Sequence, residues 1–351
     1  MQLTLEEHKQ YNRHLILEEI GEEGQLKLKK ASVLVIGAGG LGCPILQYLT
    51  AAGIGTIGII DDDTVDQSNL QRQILYTIDD IGASKAEVAV KKLSKLNPFT
   101  KFNTYVKKLV AKNAISLFKD YDIIVEGSDN FQTRYLANDA ALITNKPLVY
   151  GSIFKFEGQV TVFNYKGSGT YRCLYPTPPN PNEVPNCSEI GVLGVLPGII
   201  GALQANEVLK MVCGIGETLA NKLLVIDALT MRQVLLNYKK IDTSKVISLD
   251  VDYDSFCGIS TIDHEILLEE LLKDSSRYHL LDVRENWERE QHHIGGQHIP
   301  LKELPVRFTE LLTEKNIVVY CKSGIRSKQA IHLLQEKYTN VKFVNLKHGI
   351  S

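Results

Sequence analysis

Cysteine is scarce in this sequence, with six in 351 residues, and tryptophan occurs once. Cys43, Cys173, Cys187, Cys213, Cys257 and Cys321 are widely spread, and no two form a C-x-x-C pair. That excludes a disulfide framework and fits a reducing compartment, the cytoplasm, with individually reactive thiols. Neither charge is in excess: 39 Lys plus Arg stand against 41 Asp plus Glu, a formal net charge of -2. The global basic footprint of a nucleic-acid binder is therefore missing. No apolar run approaches the roughly 18 residues that mark a membrane helix, so no membrane partner is expected. The first residues, Met1 to Glu7, lack the basic and apolar regions of a secretory signal. No internal repeat is present. What remains is ordinary globular material, 44% hydrophobic and 23% charged. The length fits about two domains of roughly 150 residues, each large enough to bury a core.

The first half alternates β-rich apolar runs with helical spacing, the pattern of βαβ units and a mostly parallel, Rossmann-like α/β sheet. Strands are expected at Ser32–Ile36, Ile57–Ile60, Asp122–Val125, Leu148–Tyr150 and Gln159–Phe163. Helices are expected from Pro44 to Leu49, from Ser84 to Leu96 and across Gly191–Met211. Residues 176–185 hold five of the 11 prolines, so they read as a mobile loop leading to Cys187. A first domain over residues 1–240 and a polar linker over 241–259 precede a small α/β domain at 260–351. In that domain a helix is expected at His264–Leu272. Strands are expected at His279–Leu281 and Asn316–Tyr320, the second ending on a loop, Cys321 to Arg326.

Between the first strand and its helix, Gly37-Ala38-Gly39-Gly40-Leu41-Gly42 matches G-x-G-x-x-G. Such glycines let the backbone approach a phosphate over a helix N-terminus. Asp61, at the end of the next strand, is placed to accept hydrogen bonds from a ribose hydroxyl. On this motif alone an NAD-linked oxidoreductase is the plain reading. The segment Asp61 to Gln73 points elsewhere, because it sets acids, an amide and Arg72 beside the ribose-phosphate site. Hydride transfer needs no such cluster. Attack on an α-phosphate does, because charge grows on the transferring group and on the departing pyrophosphate. Lys85 supplies a further cation. Asp129 sits at a carboxyl strand end, where it is placed to hold Mg²⁺.

With these residues in view, the chain resembles the MoeB/ThiF adenylyltransferases, relatives of ubiquitin-activating enzymes. The resemblance runs from about Leu5 to Cys257. It rests on Tyr11-Asn12-Arg13-His14, the Gly37–Gly42 loop, Asp61-x-Asp63, Ser68-Asn69-Leu70-x-Arg72-Gln73, Lys85, Ser128-Asp129-Asn130 and Glu157-Gly158-Gln159. It implies ATP bound by Gly37, Gly39, Gly40, Gly42, Asp61, Asp63, Ser68, Asn69, Leu70, Gln71, Arg72, Lys85, Asp129 and Asn130. It implies Mg²⁺ on Asp129 and a homodimer in which Arg13 reaches the ATP of the other subunit. The implied substrate is a ubiquitin-like sulfur carrier protein of the MoaD or ThiS kind, from molybdopterin or thiamine biosynthesis, ending Gly-Gly. Its terminal carboxylate is a poor electrophile until joined to AMP.

Cys187 matches a crossover-loop cysteine that takes part in acyl or sulfur transfer in some members. Its other reading is an ordinary small buried residue. Many members bind structural zinc through two C-x-x-C pairs. Here those positions read Thr170-Tyr171-Arg172-Cys173 and Asp254-Ser255-Phe256-Cys257, one thiol from each. Zinc wants four Cys or His ligands, so no zinc is expected. Cys43 and Cys213 read as core.

A loop of amides over a helix N-terminus stabilises an anion on its first side chain, here Cys321 as thiolate or persulfide. Lys322 and Arg326 add positive charge. Protein phosphatases carry one residue more between their cysteine and arginine, and the smaller ring suits sulfur. The segment resembles rhodanese through Leu281-Asp282-Val283-Arg284, Glu288, His293-Ile294-Gly295-Gly296, Ile299-Pro300 and the Cys321 loop. That makes Cys321 the persulfide carrier, Asp282 and Arg284 a buried polar pair, and His293 a turn residue. Rhodanese domains continue into a closing helix beyond Asn345–Ser351, so this one reads as shortened. The leading expectation is a two-domain enzyme that adenylates a carrier and sulfurates it, supplied by a sulfur donor such as a cysteine desulfurase. Its rivals are an NAD-linked oxidoreductase with a rhodanese appendage and a non-catalytic sulfur-binding scaffold.

Overall fold

The computed structural model describes residues 2–179, 191–242, 246–250, 252–257, 264–335, 337–338 and 340–350. The chain divides into two compact units, Met1–Gly258 and Ile259–Ser351.

In the first unit, β1 (Ser32–Ile36), β2 (Thr56–Ile60), β3 (Lys101–Tyr105), β4 (Ile123–Glu126) and β5 (Leu148–Phe154) pair in parallel in the order β3-β2-β1-β4-β5. Then β6 (Glu157–Phe163), β7 (Lys222–Asp227) and β8 (Gln233–Asn237) continue the sheet antiparallel. The central strands are continuous Val/Ile/Leu runs because both faces are covered. Val33, Val35, Ile57, Ile59 and Val125 join one core with Ile45, Leu46, Leu49 and Ala89. Their neighbours Leu34, Ile36, Ile60 and Ile124 face the other, with Leu117, Phe118 and Leu136. The helix Leu196–Cys213 belongs to the first core and ends on the left-handed cap Gly214. In this strand order, β1 and β4 are neighbours whose connections leave in opposite directions. The crevice at their carboxyl ends is where doubly wound sheets bind ligands.

Three strands of this unit lie outside the sequence expectations. Edge strand β3 is Lys-Phe-Asn-Thr-Tyr, too polar to carry a strand signal, while β7 and β8 join the sheet through antiparallel pairing that starts from distant β6. The expected linker is also corrected in part. Tyr253 and Cys257 are buried in the first unit's second core, because the short helix Tyr253–Phe256 is fastened there by a salt bridge. Arg172 donates to both Asp139 oxygens at 2.7 Å, and the Tyr253 hydroxyl donates to Asp139 Oδ2 at 2.8 Å. The guanidinium lies 4.8 Å from the Phe256 ring centre and 5.0 Å from that of Tyr135.

The second unit is a wholly parallel sheet. Its strands β9 (Glu265–Ile266), β10 (Tyr278–Asp282), β11 (Gln297–His298), β12 (Asn316–Tyr320) and β13 (Phe343–Leu346) lie in the order β11-β10-β12-β13-β9. The helix expected at His264–Leu272 is in fact strand β9 followed by a helix over Leu268–Lys273. Glu265 and Ile266 pair with Asn345 and Leu346, a long-range contact that overrides local helical spacing.

Candidate functional site

Gly37 leaves β1 at φ +88°, a left-handed backbone, and a Cβ there would lie 3.0 Å from the Gly127 carbonyl after β4. Only glycine lets these two strand ends meet so closely. At Gly42, the first residue of the helix Gly42–Ala52, a Cβ would fall 2.1 Å from the Gly37 carbonyl. The loop therefore closes directly onto that helix, whose first amides have no side-chain cap. Uncapped amides at a helix start favour an anion. Gly39 and Gly40 carry the rest of the loop, with Gln73 3.5 Å and Arg72 3.8 Å from where their Cβ atoms would lie.

Asp61 fixes the loop from the neighbouring strand. Its Oδ2 accepts from the Ala38 amide at 2.7 Å and its Oδ1 from the Asp63 amide at 2.8 Å. The carboxylate expected to face a ribose thus also organises the backbone of its own site, and burial raises its pKa. Lys85 opens the helix Lys85–Leu96 behind Ser84. Its side chain is 6% exposed and its ammonium lies 2.9 Å from Asp63 Oδ2. Tyr76, not singled out in the sequence, donates to the carbonyls of Ala38 at 2.7 Å and Lys85 at 3.2 Å, coupling glycine loop to lysine. The turn Gln67–Asn69 is set by Asp66, which accepts from the Ser68 amide at 2.8 Å and from its hydroxyl. The Arg72 guanidinium donates back to the Ser68 carbonyl at 3.1 Å. Leu70 is half-buried against the core, and Gln71 is exposed.

Across the crevice, Asp129 is exposed after β4. Asn130 caps the helix Phe131–Ile143, its Oδ1 accepting from the Thr133 amide at 2.9 Å. Beneath them lies a residue the sequence reading passed over. Glu126 is wholly buried, accepts from the Ser128 amide at 2.6 Å and from its hydroxyl, and faces Arg134 at 3.9 Å. Burial pushes its carboxyl up to about 7, against the pull of Arg134 and Ser128. The folded chain thus holds this proton more tightly than the unfolded one. The resulting stabilisation is lost as pH rises from about 4.5 to about 7. We expect the thermal midpoint to fall over that window, and Glu126→Gln to flatten the fall. Equal slopes in both proteins would count against a titrating Glu126.

In the Tyr11-Asn12-Arg13-His14 motif, anchoring and exposure alternate. Tyr11 is buried, its hydroxyl accepting from Asn97 at 2.9 Å, and His14 meets Gln25 at 3.0 Å. Arg13 is exposed on the helix Asn12–Leu15. The Cys43 thiol is buried and pushed up to about 12, as befits core, and Cys213 is buried as well. Cys173 accepts from the Thr170 amide at 3.2 Å and the Ile241 amide at 3.4 Å. The Cys257 thiol is buried and pushed up to about 12. The Arg172–Asp139–Tyr253 fastening holds its segment against the first unit. Cys187 lies outside the described residues.

In the second unit Cys321 directly follows β12 and is fully buried, and the Gly324 amide, at φ +86°, donates to its sulfur at 3.1 Å. The helix Ile325–Gln335 follows. Arg326, expected to lend charge to the sulfur, is committed to Glu288 through two hydrogen bonds of 2.6 Å. Its charge is largely neutralised there, so the contacts to sulfur come from the Gly324 amide and the Ser327 hydroxyl rather than from Arg326. Asp282 and Arg284 form the expected buried pair at 2.9 and 2.8 Å. His293 accepts from the Gly295 amide at 3.0 Å, as a turn residue does.

Fold and sites together define a doubly wound nucleotide-binding unit followed by a small sulfur-site unit. Residues 11–246 match the family model described as ThiF family, and residues 267–351 match the rhodanese-like domain. The chain belongs to the ThiF family and carries a C-terminal rhodanese-like domain. It is 44% identical over 347 residues to the probable adenylyltransferase/sulfurtransferase MoeZ of Mycobacterium tuberculosis, covering 94% of this chain and 88% of that one. It is 47% identical over 270 residues to the sulfur carrier protein adenylyltransferase of Thermus thermophilus, covering 74% of this chain and all of that one. The adenylyltransferase and sulfurtransferase MOCS3 of Xenopus laevis is 41% identical over 369 residues, covering 93% of this chain and 81% of that one. Among solved structures, E. coli MccB with MccA-N7isoASN superposes with a TM-score of 0.61 at 23% identity. That match covers 68% of this chain and 74% of that one, a likeness of fold. No described helix is long and apolar enough to cross a membrane.

Proposed function

We propose that the first unit transfers AMP from ATP to the Gly-Gly carboxylate of a small sulfur carrier protein, and that the second delivers sulfane sulfur from Cys321 to make a thiocarboxylate. The observation that carries this is the convergence of the Gly37–Gly42 loop, Arg72, Lys85 and Asp129 on the carboxyl ends of β1, β2 and β4. The names of the relatives support the same chemistry. Gly37, Gly39, Gly40 and Gly42 offer amides and close approach to phosphates, with Asp61 and Asp63 holding the loop and lysine. Ser68, Asn69, Leu70, Gln71 and Asn130 line the nucleotide's flank.

A carrier carboxylate oxygen attacks the α-phosphorus, the bond to the bridging oxygen breaks, and pyrophosphate leaves. Arg72 and Lys85 meet the charge that grows on both groups. Exposed carboxylate oxygen suits a hard cation, so Asp129 would hold Mg²⁺, which supplies charge neutralisation on the phosphates. Arg13 completes the site of a second copy in a homodimer. The outer sulfur of a Cys321 persulfide, loaded by a cysteine desulfurase or similar donor, then attacks the acyl carbon and AMP leaves. Attack by a second thiolate on Cys321 Sγ splits the resulting acyl disulfide and frees the thiocarboxylate; Cys187 is our candidate, and an external thiol then reduces the disulfide formed. The donor set at Cys173 and Cys257 does not fit zinc, and we assign none. Five free cysteines among the described residues suit a reducing, cytoplasmic setting.

The test is ATP–pyrophosphate exchange with Mg²⁺, with and without carriers ending Gly-Gly. We expect exchange only when a cognate carrier is present. Tight NADH binding without exchange would overturn the reading in favour of an oxidoreductase.

A further inference from the structure

Cys321 is the first member of a hydrogen-bonded chain that leaves the sulfur loop. Its Sγ lies 3.5 Å from the Ser327 hydroxyl, which donates to Asn345 Oδ1 at 2.6 Å. Asn345 Nδ2 donates in turn to Glu265 Oε1 at 3.2 Å, and Glu265 pairs with Lys328 at 2.8 Å. Cys321, Ser327 and Asn345 are all at most 1% exposed.

The directions follow from donor and acceptor chemistry. An ionised Glu265 only accepts, so the Asn345 amide must turn its nitrogen toward Glu265 and its oxygen toward Ser327. Ser327 has one proton, and at 2.6 Å that proton belongs to Asn345. The Ser327 oxygen is then left to accept from the Cys321 S–H. If Sγ becomes an anion, the same hydroxyl must release Asn345 and turn to the sulfur. The other charged groups around the site are Lys322 and Arg326, the latter held by Glu288. Lys347 approaches Glu265 at 3.8 Å, and His348 follows it, its amide beside Gly324.

We propose that Asn345 is a positioning residue that withholds the Ser327 proton from Cys321, so that each sulfur-transfer step must win that proton from the amide. The inference rests on the reading of Cys321 as the sulfur carrier. With thiosulfate as probe, the Cys321 thiolate attacks the outer sulfur, the S–S bond breaks and sulfite departs. When cyanide takes the outer sulfur as thiocyanate, the electron pair returns to Sγ. Both steps pass through an Sγ anion that Ser327 stabilises only after leaving Asn345.

The experiment is iodoacetamide alkylation of the full chain below neutral pH, read by mass spectrometry on the peptide holding Cys321. One neutral hydrogen bond is worth about a factor of five, so Asn345→Leu should speed alkylation roughly fivefold. Glu265→Gln, on an exposed rim, lets the Asn345 amide turn over and should move the rate the same way by less. In a Ser327→Ala background Asn345→Leu should have no effect, a result that general loosening would not give. An unchanged rate in both single variants, or an equal acceleration with and without Ser327, overturns the proposal. Thiosulfate–cyanide transfer that survives Cys321→Ala would instead overturn the reading of the site.

Discussion

Lys85→Ala should lower carrier-dependent ATP–pyrophosphate exchange by about 10²–10³-fold, the usual cost of removing one preorganised charge from the reacting centre. The loss should fall mainly on kcat, because the lysine meets charge that appears as pyrophosphate departs. Folding should survive, since alanine is a good helix former at the start of Lys85–Leu96 and the Ser84 cap is untouched. Burial makes the effect large. The Lys85 side chain is 6% exposed while its partner Asp63 is 70% exposed, so the ammonium is shielded on the protein side and paired toward solvent. Lys85→Arg should rescue little, because a planar fork does not replace a compact ammonium between Asp63 and the loop that Tyr76 ties down. Exchange at the parent rate in Lys85→Ala would remove Lys85 from the site.

Cys321→Ala should separate the two activities. Exchange should be unchanged, while transfer of sulfur from thiosulfate should fall to the level of the enzyme-free control, since no other group in the loop forms a persulfide. The Gly324 amide would lose its sulfur partner, and Arg326 would keep Glu288, so the loop should hold its shape. Thermal melting of the variant checks this. Sulfur transfer persisting in Cys321→Ala would mean that another cysteine carries it.

Much of the site was legible because it is built from local signals. Strand, glycine loop and helix occur in sequence order over Ser32–Ala52, and Lys85 follows its own cap. The supporting residues were hidden for a physical reason: their partners are distant in the chain. Tyr76 reaches Ala38, Arg172 reaches Asp139 and Tyr253, Arg326 reaches Glu288, and Asn345 reaches Ser327 and Glu265. Glu126 looked like the tail of an apolar strand, and only its complete burial reveals a carboxylate that shapes the Ser128–Asn130 turn. The second unit repeats the contrast. Its Cys321 loop could be read from glycine and spacing, but β9 could not, because it exists through pairing with β13 across the length of the unit.

On the proposed function, one chain activates a carrier's terminal carboxylate and replaces its oxygen with sulfur. Intact-mass spectrometry of a Gly-Gly carrier tests it most directly, after incubation with the full chain, ATP, Mg²⁺, thiosulfate and a thiol reductant. The carrier should be converted to its thiocarboxylate, a product lost when ATP is omitted and lost in Cys321→Ala. A carrier whose mass never changes, although the same preparation supports exchange and thiosulfate–cyanide transfer, would contradict it.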